Sequence, residues 1–442
     1  MTSSHALRGT TLSFRDNPFL APPSECLNVT EDALILIEDG IIKAAGSWQE
    51  LSPDLPAGTP VTHYPDALIS AGFIDTHVHY PQISVIASYG EQLLEWLTRY
   101  VFPAEAAFAD PAVATEAAGR FLHELLRAGT TTAAVYCTVH PQSADAFFTE
   151  AQKLGLRMIA GKVLMDRNAP EALRDTVRTG YDQSADLIAK WHGKDRLSYA
   201  VTPRFAITST PEQLEAAGDL LDSAPGLFLQ THLAENREEV RAVAELFPKS
   251  RSYLDVYDRA GLVRRRSVFG HAIHIDEPDL CRCHETGAAL SHCPTSNLFL
   301  GSGAFRLSDA VAAARPVHVG LGTDVGAGTS LSLLSTMGEA YKVALIGGHR
   351  LHPVQALWLA TRGGAAALGL EDRIGSIAVG MEADLCVLDG GTDDFLRWRL
   401  ERCDTVQDQL FVLMTLGDAR CVRATWAGGR RVYERPESPP GP

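Results

Sequence analysis

The strongest constraint on the fold of this 442-residue chain is a regular alternation of strand-like and helix-like segments. Short apolar runs typical of buried strands recur through the central part of the chain, and stretches with helical periodicity separate them. Eight such alternations fit a closed parallel barrel better than a doubly wound open sheet, so the sequence predicts an α/β fold with a TIM-type (β/α)8 barrel. The eight strands are expected to end near His79, Tyr136, Asp166, Arg204, His232, His271, His292 and Asp324.

Both ends of the chain are instead rich in strand-forming residues. Two β-rich runs on either side of Asp39-Gly40 predict a hairpin, and similar runs recur after residue 382. We expect residues 1–69 and 372–442 to form one small discontinuous β-domain beside a barrel of residues 70–371, with a disordered tail from Glu437. Helices are expected at 111–128, 171–191, 211–223 and, after the last strand, 353–369.

The composition limits the possible partners. A formal net charge of −15 opposes binding to nucleic acid or to an anionic membrane, because both favour a basic surface. No stretch is long and apolar enough to cross a bilayer, and the N-terminus has no signal-peptide core. The eight scattered cysteines are typical of reduced thiols. The sequence therefore predicts a cytoplasmic protein that acts on a small molecule.

Several metal-binding residue types fall at the ends of predicted strands. His77 and His79 lie two residues apart on the first barrel strand, so both imidazoles can face the barrel mouth and begin a zinc site. By itself a His-x-His pair is a weak signal. However, His232, His271 and Asp324 each end a strand of their own, at the face where barrel enzymes place their active sites. This convergence is hard to explain as packing.

Glu235 follows His232 by three residues, in the loop that leaves the strand. Its carboxyl group can therefore overhang a metal without binding it, as a general acid–base residue does. The alternative is a surface carboxylate, because the residues that follow look like the charged first turn of a helix.

The order of these residues resembles the amidohydrolase superfamily over nearly the whole chain. Within that superfamily, the sequence is similar to the members that deaminate guanine. Three segments carry this closer resemblance: residues 79–82, residues 94–105 (LEWLTRYVFPAE) and the tripeptide at 203–205 (PRF). Tyr80 departs from the smaller residue expected at its position.

The resemblance implies a single catalytic zinc ion, which lowers the pKa of a coordinated water to about 7. Relatives that hold two metals carry a bridging lysine at the end of the fourth strand, and residues 197–205 contain no lysine. The implied ligands are His77, His79, His232 and Asp324.

The resemblance also implies a reaction, the conversion of guanine to xanthine and ammonia. Asp324 takes a proton from the attacking water, His271 orients that water, and Glu235 protonates N3 of the base and then the departing amine. Arg204 would donate to the six-position carbonyl, which leaves the amino group of adenine facing a charged donor. A homodimer is expected. The implied substrate contacts are Gln82, Arg204, Phe205 and His232.

Two alternatives remain. The same fold and metal could serve an adenosine-type, cytosine or triazine aminohydrolase. An arginine at position 204 that donates hydrogen bonds to a carbonyl group suits guanine better than adenine. A non-catalytic metal-binding relative would usually have lost Glu235 or Asp324, and both are present. The other class of zinc deaminases, with a Pro-Cys-x-x-Cys motif, has no match in this sequence.

Overall fold

The structure, a computed structural model, describes residues 4–89, 92–391 and 393–436. The predicted disordered tail from Glu437 lies outside these residues. The chain begins with four strands, and β1 pairs antiparallel with β2 and parallel with β4. β2 and β3 form the predicted hairpin, with φ angles of 49° at Asp39 and 82° at Gly40, as a two-residue turn between twisted strands requires. These strands are β1 (Ser4–Phe14), β2 (Leu27–Glu38), β3 (Ile41–Ser47) and β4 (Val61–Ala71).

The central part of the chain forms a nearly closed barrel of parallel strands that alternate with helices, so the predicted fold class is confirmed. The last barrel strand leads back to the first, where the main-chain nitrogen of Asp324 donates to the oxygen of His77 at 2.9 Å. The barrel strands are β5 (Phe73–His79), β6 (Thr130–Tyr136), β7 (Arg157–Gly161) with its short continuation β8 (Val163–Leu164), β9 (Ser198–Pro203), β10 (Phe228–Leu233), β11 (Ser267–His271), β12 (Ala289–His292) and β13 (His318–Leu321).

Three C-terminal strands complete the small sheet begun by the N-terminus: β14 (Leu385–Leu388), β15 (Val422–Ala427) and β16 (Arg430–Glu434). β14 pairs antiparallel with β4, which joins the two ends of the chain in one seven-stranded sheet in the order β16-β15-β14-β4-β1-β2-β3. An ion pair joins the barrel to the sheet: Nε of Arg157, on β7, donates at 2.8 Å to the carboxylate of Glu382, which lies just before β14. The boundaries predicted at residues 69/70 and 371/372 stay a prediction.

Helices surround the barrel and cover its ends. In the described part of the chain no helix is long and apolar enough to cross a membrane. The helices are α1 (Pro23–Cys26), α2 (Trp48–Leu51), α3 (Leu93–Trp96), α4 (Phe102–Ala106), α5 (Pro111–Arg127), α6 (Pro141–Leu154), α7 (Val177–Trp191), α8 (Pro211–Asp222), α9 (Arg237–Leu246), α10 (Tyr253–Arg259), α11 (Glu277–Thr286), α12 (Pro294–Phe299), α13 (Leu307–Ala310), α14 (Leu333–Ile346), α15 (Pro353–Ala360), α16 (Arg362–Leu368), α17 (Asp394–Leu400) and α18 (Val406–Leu416).

Two of the predicted helices were wrong in extent. The helix expected at 171–191 begins only at Val177, because Thr176 caps it through a capping box with Thr179. The helix expected at 353–369 breaks at Thr361 into α15 and α16. The break precedes Gly363 and Gly364, where a β-carbon on Gly364 would lie 3.1 Å from the side chain of Ile74 in the barrel.

Two of the predicted strand ends also shift. The third strand ends at Leu164, because the main-chain nitrogen of Asp166 donates to Thr208 and not to a neighbouring strand. The last strand ends at Leu321, three residues before Asp324, whose own main chain turns away with a φ of 48°.

Candidate metal centre and active site

Four side chains with metal-ligating atoms converge at the C-terminal mouth of the barrel. Their ligand atoms all lie within 4.8 Å of one another. Nε2 of His77 and Nε2 of His79, on alternate residues of β5, each lie 3.3 Å from Oδ1 of Asp324. Nε2 of His232 lies 3.2 Å from that of His79. The structure thus brings together the four residues that the sequence predicted as ligands.

The imidazoles are arranged to offer lone pairs. Nδ1 of His232 donates to the main-chain oxygen of Arg204 at 2.7 Å, which leaves Nε2 of His232 without a proton in the neutral ring. Burial lowers the pKa of His79 to about 3 and that of His232 well below its ordinary value. Both ring nitrogens of His77 lack a well-aligned hydrogen bond among the described residues. Such unpartnered, buried nitrogens are costly unless they bind a cation.

Asp324 supplies the negative charge of the cluster. Burial opposes ionisation of its carboxyl group, but the adjoining imidazoles outweigh burial and hold the pKa of Asp324 well below its ordinary value. Three neutral imidazoles and one carboxylate match the N and O donors that zinc prefers, and a zinc ion held by all four would take water as a fifth ligand. The residues present therefore fit a single zinc ion.

The backbone around these side chains is held in uncommon conformations. Asp324, Ala234 and His271 have φ angles of 48°, 45° and 68°, in the left-handed region that few residues other than glycine adopt. Asp75 supports the backbone conformation at Asp324 through the preceding residue, Thr323. Its carboxyl group accepts from Thr323 Oγ1 at 2.5 Å and from the Thr323 main-chain nitrogen at 3.0 Å. Strain of this kind persists where the surroundings over-determine it, and it is frequent at functional sites.

Gly270 is required by a close approach at the same place. A β-carbon on this residue of β11 would lie 2.5 Å from Cε1 of His77. Real β-carbons essentially never approach a neighbouring atom so closely, so only glycine lets the His77 ring lie against the strand.

Glu235 lies beside the cluster in the loop after β10 and is only 3% exposed, so the alternative of a surface carboxylate is excluded. Burial raises the pKa of Glu235 to about 7. Its Oε2 lies 3.5 Å from Nε2 of His271, and Ser302 donates to its Oε1 at 3.0 Å. A carboxyl group with this pKa can hold or release a proton near neutral pH.

His271 is held in one tautomer. Its Nδ1 donates to Oδ1 of Asn297 at 2.8 Å, so Nε2 faces Glu235 and Asp324, at 3.5 and 3.7 Å. Burial lowers the pKa of His271, but the two carboxylates outweigh burial and the net pKa is raised. His271 can therefore accept or share a proton between these carboxyl groups.

The cluster opens into a small pocket that is partly open to solvent. Gln82, Arg204 and Phe205, the residues predicted to contact substrate, all line it. Leu93, Trp96 and Leu97 of the segment after β5 form the facing wall, with Leu300 and Ala327. The pocket therefore combines an apolar wall with the polar groups of the cluster and with Gln82 and Arg204.

Three residues that shape the site were not predicted from the sequence. The carboxyl group of Glu105 is fully buried and lies 2.7 Å from Nη1 of Arg204, so it compensates the charge of the side chain that was predicted to contact the substrate carbonyl. Glu239 accepts from the main-chain nitrogens of Glu235 and Asn236 and so fixes the loop that carries Glu235. Trp96 forms part of the wall. Glu105 and Trp96 lie in segment 94–105, which was noticed only as a resemblance. Glu239 stands three residues after Asn236, and this capping-box spacing is the signal that could have marked it.

Comparisons with known proteins agree with this geometry. Residues 68–432 match the model of the amidohydrolase family. The chain is 45% identical to guanine deaminase of Escherichia coli K12, over 98% of this chain and 100% of that one. The solved structure of E. coli guanine deaminase superposes with a TM-score of 0.94, covering 98% of this chain and 99% of that chain.

Two further solved structures hold ligands. Guanine deaminase from C. acetobutylicum, with guanine bound in its active site, has a TM-score of 0.87 at 27% identity and covers 97% of this chain and 100% of that chain. An adenosine deaminase from Xanthomonas campestris with bound zinc has a TM-score of 0.83 at 25% identity, over 96% and 92% of the two chains. The chain therefore belongs to the amidohydrolase family of metal-dependent enzymes. Within that family, it belongs with the guanine deaminases.

Proposed function

We propose that the protein uses one zinc ion to hydrolyse guanine to xanthine and ammonia, a step of purine catabolism. The observation that carries the proposal is the position of Glu235, a buried carboxyl group beside the His/Asp cluster in a cavity whose rim carries Arg204 and Gln82. The guanine bound in the C. acetobutylicum relative supports the choice of substrate. The zinc bound in the X. campestris relative supports the choice of metal.

His77, His79, His232 and Asp324 would hold the zinc ion. When bound, zinc acts as a Lewis acid and supplies a water acidic enough to react at neutral pH. Strand β9 contributes no lysine that could bridge a second metal. The buried Lys162, between β7 and its continuation β8, is engaged elsewhere, because its Nζ donates to Asp175 at 2.8 Å. These features support one metal ion per chain.

The side chains around the cluster move the protons. Asp324 accepts a proton from the attacking water, and Nε2 of His271 steadies the charge that develops on that oxygen. As the oxygen bonds to C2 of guanine, Glu235 protonates N3. Glu235 then takes the proton of the new hydroxyl group on C2 and delivers it to the amino group, which leaves as ammonia while the C2 carbonyl of xanthine forms. The proton held by Asp324 passes to Glu235 and restores both carboxyl groups for the next turnover.

The rim of the cavity would select the base. N–H groups of Arg204 donate to the six-position carbonyl of guanine, and the amide of Gln82 contacts a second purine edge. Phe205 and His232, whose rings are 6.4 Å apart in an edge-on arrangement, bound the face of the base. Adenine offers an amino donor in place of the carbonyl acceptor, so it fits this rim poorly.

A panel of purines, pyrimidines and triazines, assayed for ammonia release and product mass, tests the proposal. We expect guanine to give xanthine with the highest kcat/KM. If guanine were inert and another heterocycle released ammonia, the metal centre would stand but the substrate assignment would be wrong. A homodimer and a cytoplasmic location belong to the same proposal and can be checked by light scattering and cell fractionation.

A further inference from the structure

Glu105 connects the two polar side chains at the rim of the cavity. It lies on α4, and its side chain is fully buried. Nη1 of Arg204 donates to both of its carboxylate oxygens, at 2.9 and 2.7 Å, and Nε2 of Gln82 donates to Oε1 at 3.0 Å. Arg204 and Gln82 are themselves 2% and 3% exposed. Glu105 is thus a buried acceptor shared by both residues that face the substrate.

The orientation of the Gln82 amide follows from its two neighbours. A carboxylate can only accept, so the nitrogen of the amide must point to Glu105. A main-chain N–H can only donate, and that of Gly326 lies 3.2 Å from Oε1 of Gln82, so the oxygen must point to Gly326. Both neighbours require the same orientation. The second N–H of the Gln82 amide is therefore the group left to face a ligand.

Glu105 also orients the guanidinium group of Arg204. Only its Nη1 is hydrogen-bonded among the described residues, so the remaining N–H groups of the guanidinium are left to donate to a ligand. The carboxylate of Glu105 also compensates the positive charge of Arg204. The rim therefore presents donors without a net charge, a combination that suits a neutral base with acceptor atoms.

We propose that Glu105 is a positioning residue. It holds Gln82 and Arg204 so that they present only hydrogen-bond donors to the substrate, and the site thereby selects neutral 6-oxo purines. This inference rests on the proposed function, because it names the device by which the same site recognises its substrate. Glu105 touches neither the reacting atoms nor the metal ligands in the described contacts, so it acts through Gln82 and Arg204.

The first test is Glu105→Gln, which keeps the shape of the side chain but removes its charge and one acceptor. Without the carboxylate, the Gln82 amide loses one of the two neighbours that determine its orientation, and Arg204 is left uncompensated. We expect kcat/KM for guanine to fall by about ten- to a hundredfold, the range for losing a hydrogen bond to a charged group. Most of the loss should appear in KM, because the contacts lie away from C2. The preference for guanine over 2-aminopurine, which lacks the carbonyl, should narrow by about tenfold.

A second readout distinguishes positioning from general damage. Xanthine ionises more readily than guanine, and an uncompensated Arg204 favours an anion. The ratio of the inhibition constant of xanthine to KM for guanine should therefore fall in Glu105→Gln, and more so at pH 8 than at pH 6. A structural role alone would leave this ratio unchanged.

Two variants serve as controls. Glu382→Gln breaks another largely buried pair, with Arg157, far from the cavity, and should leave the guanine to 2-aminopurine ratio within about twofold of that of the wild type. Glu105→Gln is also added to an Arg204→Met background. There it should change the ratio of kcat/KM for guanine to that for 2-aminopurine much less, because the guanidinium that Glu105 orients is gone. If Glu105→Gln does not fold, Glu105→Asp keeps the charge but shortens its reach and should narrow the ratio in the same direction.

Metal content and kinetics of the purified holoenzymes decide the outcome. A metal-loaded Glu105 variant with the wild-type substrate ratio and xanthine inhibition would overturn the inference while the wild type still deaminates guanine. An equal change of the guanine to 2-aminopurine ratio in Glu382→Gln would overturn the inference as well. If the wild type itself failed to deaminate guanine, the proposed function would be wrong in the first place.

Discussion

Nδ1 of His232 lies 2.7 Å from the main-chain oxygen of Arg204, so a side-chain hydrogen bond joins a candidate metal ligand to a residue that is predicted to contact substrate. β9 and β10 are neighbours in the barrel, and the main-chain nitrogen of His232 also donates to Arg204, at 3.1 Å. The metal centre and the substrate rim therefore share a rigid support, and their relative position is set by adjacent strands.

Metal content tests the ligand set. Purified wild-type protein should carry close to one zinc ion per chain, because four donors converge on one point. His77→Ala removes one of them and should lose both zinc and activity, as measured by elemental analysis and ammonia release. His63→Ala, at an exposed position on β4, is the control and should retain both. Two tightly bound metal ions per chain would contradict the single-metal site.

Glu235→Gln tests the proton shuttle. The amide keeps the shape of the side chain but cannot release a proton, so kcat should fall by about a hundred- to ten-thousandfold while zinc stays bound. Glu238→Gln, on the exposed side of the next turn, should have wild-type kinetics. Near-normal turnover in Glu235→Gln would assign the shuttle to another residue.

The pH dependence of the wild type follows from the same carboxyl group. Because burial raises the pKa of Glu235 to about 7, the protonated form that donates to N3 predominates below that pH. We expect kcat to fall as the pH rises above about 7. The residual activity of Glu235→Gln should lack this alkaline decline, which a pH–rate profile measures.

Arg204→Met keeps bulk in the rim but removes every N–H donor. Because guanine then loses the partner of its carbonyl, kcat/KM for guanine should fall by at least about tenfold, and the gap to 2-aminopurine should narrow. Zinc content should not change, since only the main chain of Arg204 contacts a candidate ligand. Loss of zinc in this variant would show that the effect is not confined to substrate recognition.

Gly270→Ala tests the close approach at the metal centre. The added β-carbon would lie 2.5 Å from the ring of His77, so the ring must shift and zinc affinity should fall with activity. Gly119→Ala is the control, because its β-carbon meets no atom within 4 Å. That change, inside helix α5, should stabilise the fold by about 0.4–1 kcal/mol. Thermal unfolding and zinc titration measure both effects.

Glu382→Gln tests the contact between the sheet and the barrel. Burial opposes ionisation of Glu382, but Arg157 and Arg196 outweigh it and hold the pKa of Glu382 below its ordinary value. A lowered pKa stabilises the folded state at pH values above the unfolded pKa of about 4.3, and this contribution is lost as the pH falls through the folded pKa. The variant should therefore lose about 3 kcal/mol at pH 7, and less at pH 3. Glu124→Gln, in a more exposed pair, should lose at most about 1 kcal/mol. Urea unfolding at both pH values measures the difference.

The sequence by itself determined the barrel and the strand-end residues of the metal cluster. Strand periodicity is local, and parallel barrel strands all end at one face, so His77, His79 and His232 had to meet once the strands were assigned. Asp324 joins them from the loop that follows the last barrel strand. The hairpin at Asp39-Gly40 was equally local, because it depends on two residues that tolerate left-handed backbone.

Only the tertiary structure decided the partners of these residues. Glu105 is 99 positions from Arg204, and no period or spacing connects a carboxylate on α4 with a guanidinium on the loop after β9. The break at Thr361 likewise arises where α16 packs against Ile74, which helical periodicity does not encode. Burial is also a tertiary property. It is burial that raises the pKa of Glu235 to about 7 and makes an ordinary carboxyl group in a charged segment a proton donor at neutral pH.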